Sequence, residues 1–203
     1  MKNLYIDLKL KNNEDNFIIK NINNCNNCNL CLNKYPLLDK KKFSDVMWVG
    51  LSAKKVKNLF NEIPLDKNTN TGKIIENIEN LFENVNFYKT NLVKCLPLDK
   101  NNKLRYPNIS EMLSCYENLL LEIDFFRPKI IFLLGKTVSN FVLKQQNNNN
   151  DNFRKLSDNS WIYMNITYVE IYHPSYINVY KKKDIEIYIT NIQNIIKNLI
   201  FNY

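Results

Sequence analysis

Four short apolar runs, separated by helical patterns, limit the folds open to this chain more than any other feature. They are rich in β-branched and aromatic residues and cover residues 46–50, 87–93, 129–135 and 166–172. Continuous apolar runs of this length are typical of strands buried on both faces of a parallel sheet. We therefore predict four buried strands.

Amphipathic patterns predict helices over residues 72–83, 110–126, 137–143 and 184–200. Ser110 is the expected N-cap of the second helix. The alternation favours an α/β fold, a three-layer α/β/α sandwich with a central, mainly parallel four-stranded sheet. A chain of 203 residues fits a single domain over residues 1–203, in which the Asn-rich run 145–152 is expected to be a surface loop.

Polar residues follow the predicted strands. Asn91 lies in the second, and His173, the only histidine in the chain, comes directly after the fourth in a His-Pro-Ser sequence. Pro174 disfavours helical geometry at His173, so we expect a loop that points the imidazole and the Ser175 hydroxyl into a cleft. Because sheets of this class bind ligands at the carboxyl ends of their strands, these residues are expected on one rim.

The five cysteines form a close cluster and two distant members. Cys25, Cys28 and Cys31 lie in an N-terminal segment, residues 1–40, whereas Cys95 follows a strand and Cys115 lies in the next helix. Four thiolates from three segments could enclose an iron–sulfur cluster or a tetrahedral zinc ion. Alternatively, the two distant cysteines are ordinary small buried residues. Cys31 is one thiol more than a four-ligand site needs.

The charge of the chain suggests an anionic partner. The formal net charge is +8 and the sequence pI is near 9.1, which makes nucleic acid the first candidate and a solvated lysine-rich surface the alternative. No apolar run approaches the roughly 20 residues that span a bilayer, and no signal-peptide pattern opens the chain. We expect an intracellular protein without a membrane partner.

Taken in order, these motifs resemble the uracil-DNA glycosylase superfamily, most closely its iron–sulfur branches, families 4 and 5. The motifs that carry the resemblance are Cys25-Asn-Asn-Cys28, Tyr88-Lys-Thr-Asn-Leu-Val-Lys-Cys-Leu-Pro97, Glu111 to Cys115, Arg127-Pro-Lys-Ile-Ile-Phe-Leu-Leu-Gly135 and His173-Pro-Ser175. The resemblance implies a monomeric, monofunctional enzyme that flips a uracil or related pyrimidine out of single- or double-stranded DNA, wherever the cellular DNA is. It would hydrolyse the N-glycosidic bond and leave an abasic site.

The resemblance also implies roles for individual residues. The ligands of a [4Fe–4S] cluster, with zinc as the alternative, would be Cys25, Cys28, Cys95 and Cys115. His173 would stabilise charge on the departing base, with Ser52 as a second catalytic residue. The residues expected to recognise the base are Asn91, Gly50 and Leu51. The residues expected to contact DNA are Lys54, Lys94 and Ser175.

Two stretches depart from the family pattern. Gly50-Leu-Ser-Ala-Lys54 lacks the side chain that positions water, and the stretch from Pro64 to Gly72 lacks the aromatic residue that stacks on the base. The chain could still excise uracil, with water held by backbone groups, Ser52 or Asp66. It could instead excise a bulkier pyrimidine, or be a catalytically degenerate iron–sulfur protein that binds damaged or single-stranded DNA. A structural zinc protein is a further alternative.

Overall fold

The computed structural model describes residues 18–33, 36–41, 43–55 and 62–201. Residues 18–23 are helical, and a 3-10 turn follows at Asn29–Leu32. The strands are β1 (Val46–Ser52), β2 (Phe87–Val93), β3 (Ile130–Leu134), β4 (Arg154–Ser157), β5 (Ser160–Tyr163) and β6 (Ile166–Ile171). The helices are α1 (Asn70–Glu79), α2 (Ile109–Phe126), α3 (Lys136–Asn149), α4 (Pro174–Tyr180) and α5 (Ile185–Phe201), with a 3-10 turn at Lys182–Asp184.

The sheet has six strands in the order β2-β1-β3-β6-β5-β4. The four predicted strands are its parallel part, whereas β4 and β5 form an antiparallel hairpin beside β6. The prediction of a four-stranded sheet was wrong in this respect. All four residues of β4 are exposed and those of β5 are half-buried, so neither strand has the continuous apolar run by which the others were recognised.

Two hydrophobic cores, one on each face of the sheet, confirm the three layers. Alternate residues of β1 show the division, because Met47 and Val49 pack into one core while Val46 and Trp48 pack into the other. Helices α2 and α3 cover the first core, and α1 and α5 cover the second. Side chains alternate across a strand, so a doubly covered sheet needs apolar residues at every position.

Two helix ends differ from the predictions. The N-cap of α2 is Asn108 rather than Ser110, and it forms a reciprocal capping box with Glu111. Helix α3 continues to Asn149, so most of the predicted 145–152 loop is helical. Gln146 is buried four residues after Val142, on the same helical face, and its side-chain oxygen accepts a hydrogen bond from Asn150 Nδ2 at 2.7 Å.

The segment after β6 is a short helix instead of the predicted loop. His173 has the extended conformation expected before proline, but it is the N-cap of α4, and Pro174 occupies the first turn. Proline is favoured there because its missing N–H has no intrahelical acceptor and its φ angle already suits a helix. Among all the described helices, none is long and apolar enough to cross a membrane.

Candidate functional site

A cavity of about 730 Å³ opens at the carboxyl ends of β1, β2, β3 and β6. Seven of the residues singled out in the sequence line it: Gly50, Leu51, Ser52, Lys54, Asn91, His173 and Ser175. The expectation that the strand ends share one rim therefore holds. Asp66 is absent from the described lining residues; its carboxylate accepts the backbone N–H of Asn68 at 2.8 Å and so stabilises a turn.

Asn91 places a buried amide in this cavity. Its residue is 4 % exposed, and no hydrogen bond from the described part of the chain reaches its side chain. Asn91 lies opposite Gly50 in the β1–β2 register, and a Cβ atom at Gly50 would lie 2.5 Å from Asn91 Oδ1. A side chain at Gly50 would displace the amide from this position, and the amide has no hydrogen-bond partner among the described residues.

The turn after Pro64 forms an apolar wall beside the amide. Leu65 has a φ of +54°, and its Cδ2 lies 3.4 Å from the position of a Cβ at Gly50. A Cβ at Gly72, at the start of α1, would lie 1.9 Å from the carbonyl oxygen of Asp66, so glycine permits the turn to pack against the helix. An aliphatic side chain thus occupies this wall, in the stretch where the sequence lacks an aromatic residue.

The imidazole of His173 has a defined tautomer. The backbone N–H of Ser175 donates to His173 Nδ1 at 3.2 Å, and the Ser175 hydroxyl lies 2.7 Å from the same nitrogen. Because Nδ1 accepts, the proton of the neutral ring is on Nε2. Burial lowers the pKa of His173, which favours this neutral form. The site therefore offers an uncharged N–H donor.

Lys94 does not lie where a DNA contact requires it. Lys94 is only 1 % exposed, and its ammonium group forms an ion pair with the carboxylate of Glu122, which is 0 % exposed. Lys94 Nζ also donates to Thr90 Oγ1 and to the carbonyl oxygen of Asn91, both at 2.7 Å. The interpretation of Lys94 as a DNA-binding residue was wrong, because its charge is satisfied in the core beneath β2.

Glu122 was missed by the sequence reasoning. Tyr88 donates its hydroxyl to Glu122 Oε1 at 2.8 Å, and Thr90 donates to Glu122 Oε2 at 2.9 Å. The carboxylate of Glu122 therefore has three donors, Tyr88 and Thr90 in β2 and Lys94 directly after it. Glu122 follows Cys115 by seven residues and Leu119 by three, so the helical spacing places it on the buried face of α2, and that was the available signal. Its partners could not be inferred locally, because they are 28 to 34 residues away.

All five cysteines line a second, small cavity between the N-terminal segment, the end of β2 and α2. Two donors point at the sulfur atoms. The backbone N–H of Lys94 donates to Cys115 Sγ at 3.3 Å, and the side-chain amide of Asn118 donates to Cys25 Sγ at 3.4 Å. Hydrogen bonds to sulfur of this kind stabilise thiolate ligands.

The arrangement of the thiols is relevant to the kind of metal group that they could hold. Within the described ranges, no three His, Cys, Asp or Glu side chains are close enough to share one metal ion. The donor set is five thiols around one cavity, and thiolates are the ligand type that both zinc and iron–sulfur clusters take.

Two of the thiols that line this cavity, Cys95 and Cys115, have raised pKa values, which favours their protonated form. Burial, and then the neighbouring cysteines, raise the pKa of Cys95 to about 12. Burial also raises the pKa of Cys115, against the opposing effect of the Lys94 charge. Binding of iron to these residues would therefore release protons.

Sequence reasoning also missed several residues that line the first cavity. They are Leu37, Leu65, Tyr106, Lys136, Thr137, Tyr172 and Tyr176. Only the second of the last two tyrosines lies in α4, because Tyr172 precedes the N-cap His173, so no helical spacing in the sequence marked the pair.

Comparison with known proteins identifies the fold and the relatives. Residues 37–197 match the family model described as "Uracil DNA glycosylase superfamily". The chain is 29 % identical over 129 residues to the "Type-4 uracil-DNA glycosylase" of Saccharolobus solfataricus; the match covers 64 % of the chain. The chain spans about half the length of that relative, since the match covers 50 % of it.

A solved structure has the same fold. The crystal structure of wild-type SMUG2 from Pedobacter heparinus superposes with a TM-score of 0.57, covering 77 % of this chain and 76 % of that chain. The sequences are 16 % identical, so this likeness concerns the fold alone. The family match begins after Cys25, Cys28 and Cys31, which therefore lie outside it.

Proposed function

The chain belongs to the uracil-DNA glycosylase superfamily, and from this premise we propose that it is a monofunctional DNA glycosylase. Its substrate would be a uracil, or a related modified pyrimidine, flipped out of DNA into the cavity at the strand ends. The observation that carries the proposal is the pair of groups in that cavity, the buried amide of Asn91 and the neutral N–H of His173.

Asn91 supplies the base recognition in this proposal. A uracil edge presents an N–H donor beside a carbonyl acceptor, which complements the Oδ1 and Nδ2 atoms of one amide. Gly50 leaves the space for that amide, and Leu51 and Leu65 provide apolar surface in the same cavity. A buried amide left without a partner costs free energy, so a base that lacks this edge is rejected.

His173 stabilises the departing base. As the N-glycosidic bond breaks, its electron pair moves to the base, and negative charge develops on a ring carbonyl oxygen. The Nε2–H of His173 donates to that oxygen, and the neutral ring is suited to the task because it needs no proton transfer. A water molecule adds to C1′ of the sugar and loses a proton to solvent, which leaves an abasic site and a free base.

Ser52 is the remaining candidate for positioning that water. It lies at the end of β1, next to Gly50 and Leu51, and lines the same cavity. Lys54 and Ser175 are exposed at the rim, where we propose that they contact phosphate groups. The protein would act as a monomer, and its basic charge would add affinity that falls with salt.

We also propose that Cys25, Cys28, Cys95 and Cys115 hold a [4Fe–4S] cluster. When bound, such a cluster would cross-link the N-terminal segment to β2 and α2, and it would take no part in the reaction. Asn118 and the backbone N–H of Lys94 would donate to two of the ligand sulfurs. Cys31 lines the same cavity as a fifth thiol.

The experiment is a single-turnover assay on oligonucleotides that contain uracil, hypoxanthine or a bulky modified cytosine, each as a single strand and in duplex. Alkali then cleaves the abasic sites. We expect excision of a pyrimidine, with a loss of at least about a hundredfold in His173→Ala. An exposed-site control, Lys155→Ala, should keep full activity.

One observation favours a second candidate, a protein that binds damaged or single-stranded DNA without turnover. Leu65 stands beside the amide, in the stretch where the stacking aromatic is missing, and Ser52 is the only side chain among the described residues that we assign to water. Tight binding to the same panel with no excision of any base would support this candidate and refute the glycosylase.

A further inference from the structure

We propose that Tyr172, Tyr176 and Tyr180 form a platform for the unpaired bases of a single DNA strand that leads into the cavity. This inference deepens the proposed function and rests on it, because it names the form of DNA that the protein binds. We refer to these three residues as the tyrosine ladder.

The ladder is a row of exposed rings in contact, stacked in the first pair and tilted in the second. Tyr172 and Tyr176 have ring centroids 5.5 Å apart with an angle of 20° between their planes, and Tyr176 and Tyr180 follow at 5.2 Å and 39°. The three residues are 54 %, 40 % and 74 % exposed. Large aromatic rings stacked at a spacing of four residues normally pack into a core, whereas these remain at the surface.

The ladder is also held in place. Tyr188, on α5, donates its hydroxyl to the backbone carbonyl of Tyr172 at 2.6 Å, and Ile177 packs into the interior from the inner side of α4. A platform that is rigid before binding loses less conformational entropy when a ligand is ordered on it. The backbone that carries the rings is therefore anchored at Tyr172 and at Ile177.

The tyrosine ladder begins at the cavity. Tyr172 and Tyr176 line the cavity that contains Asn91 and His173, whereas Tyr180 lies one helical turn farther out. A strand whose target base enters the cavity would place a neighbouring base against the outer face of Tyr180, because the faces inside the ladder are covered by its own rings. The outermost ring, Tyr180, has the largest exposed fraction and offers the first stacking surface.

Charge favours nucleic acid as the occupant. The ammonium group of Lys181 lies 5.3 Å from the centre of the Tyr172 ring, and Lys182 and Lys183 follow it in an exposed turn that ends at Asp184. Lys136 is exposed at the cavity rim. Aromatic rings interleaved with cations are what binding to a single strand requires, since bases stack while phosphates pair with lysines.

Single strands are favoured over duplex for a physical reason. In a duplex, both faces of each base are already covered by its neighbours, so an aromatic ring gains a stacking contact only by separating them. In a single strand, the faces are available, and every base has one. The ladder thus predicts weak sequence dependence and a preference for unpaired DNA.

The test is fluorescence anisotropy with the full chain and two labelled DNAs that lack any excisable base, a mixed-sequence single strand and its duplex. We expect Tyr180→Ala to weaken single-strand binding by about tenfold and duplex binding by less than twofold. Tyr180→Trp should retain wild-type affinity. Val179→Ala, an exposed neighbour off the ladder, is the matched control and should bind like wild type.

Unchanged single-strand affinity in Tyr180→Ala, or an equal loss on both DNAs, would overturn the proposal. A thermal melt of each variant distinguishes lost stacking from lost structure. Because these DNAs are not cleaved, the result is independent of turnover. If the protein excises no base but Tyr180→Ala shows the tenfold loss, the glycosylase proposal is refuted and the ladder is supported. If the protein excises a base but Tyr180→Ala binds like wild type, the ladder is refuted and the glycosylase proposal is supported.

Discussion

The buried pair of Lys94 and Glu122 gives the sharpest prediction about stability. Both residues are almost completely buried, and the carboxylate also accepts hydrogen bonds from Tyr88 and Thr90. In Glu122→Gln the amide oxygen still accepts from these hydroxyls, but the ammonium group of Lys94 loses its counter-charge in the core. Removing one member of a buried pair costs about 3–5 kcal/mol.

That cost is a large share of the net stability of a domain, which is roughly 5–15 kcal/mol. Lys94→Met should cost a similar amount, because it leaves the carboxylate without its cation. Restoring neutrality in the double variant, Lys94→Met with Glu122→Gln, should recover at least about 1 kcal/mol relative to the sum of the single changes. The surface variant Lys155→Met, whose partner Asp158 lies 3.7 Å away, is the control and should change nothing measurable.

Urea unfolding followed by circular dichroism measures these differences. A loss of this size moves the midpoint by at least about 1 M urea, since each molar unit of urea lowers the unfolding free energy by about 1–3 kcal/mol. Single variants that each lie within about 1 kcal/mol of wild type would refute the reasoning, because the pair would then not be holding its charges in a low-dielectric core. Strict additivity in the double variant would refute it as well.

Three further predictions concern the two cavities. Burial lowers the pKa of His173, so its neutral form persists below the ordinary imidazole value of about 6.5, and the acid limb of a kcat/KM pH profile should lie below that pH; a limb above it would contradict the assignment of a neutral imidazole. Cys115→Ser should lose the visible absorbance and bound iron of the purified protein, whereas Cys31→Ser should keep both; the reverse result would reassign the ligands. Gly50→Ala should displace the amide of Asn91 and lower kcat/KM at least about tenfold while a thermal melt shows a folded protein, and wild-type excision in this variant would exclude the contact.

The parts of the fold that could be predicted are those that follow from the local pattern of apolar residues. The four parallel strands and the three layers follow from runs that are apolar on both faces, and the position of His173 and Asn91 at one rim follows from the shared direction of parallel strands. The hairpin of β4 and β5 was not predictable in this way. Its residues are exposed or half-buried, so its formation depends on the neighbouring strand β6.

The site shows the same division. By itself, the sequence placed Asn91 in a predicted strand and His173 directly after another, identified the five thiols, and predicted extended backbone before Pro174. Each of these depends on neighbours within a few residues. Only the tertiary structure decided that Lys94 is buried against Glu122, that Gly50 makes room for Asn91, and that the tyrosine ladder borders the cavity. Charge burial and close contact depend on residues far apart in the chain, and no local periodicity records which of them meet.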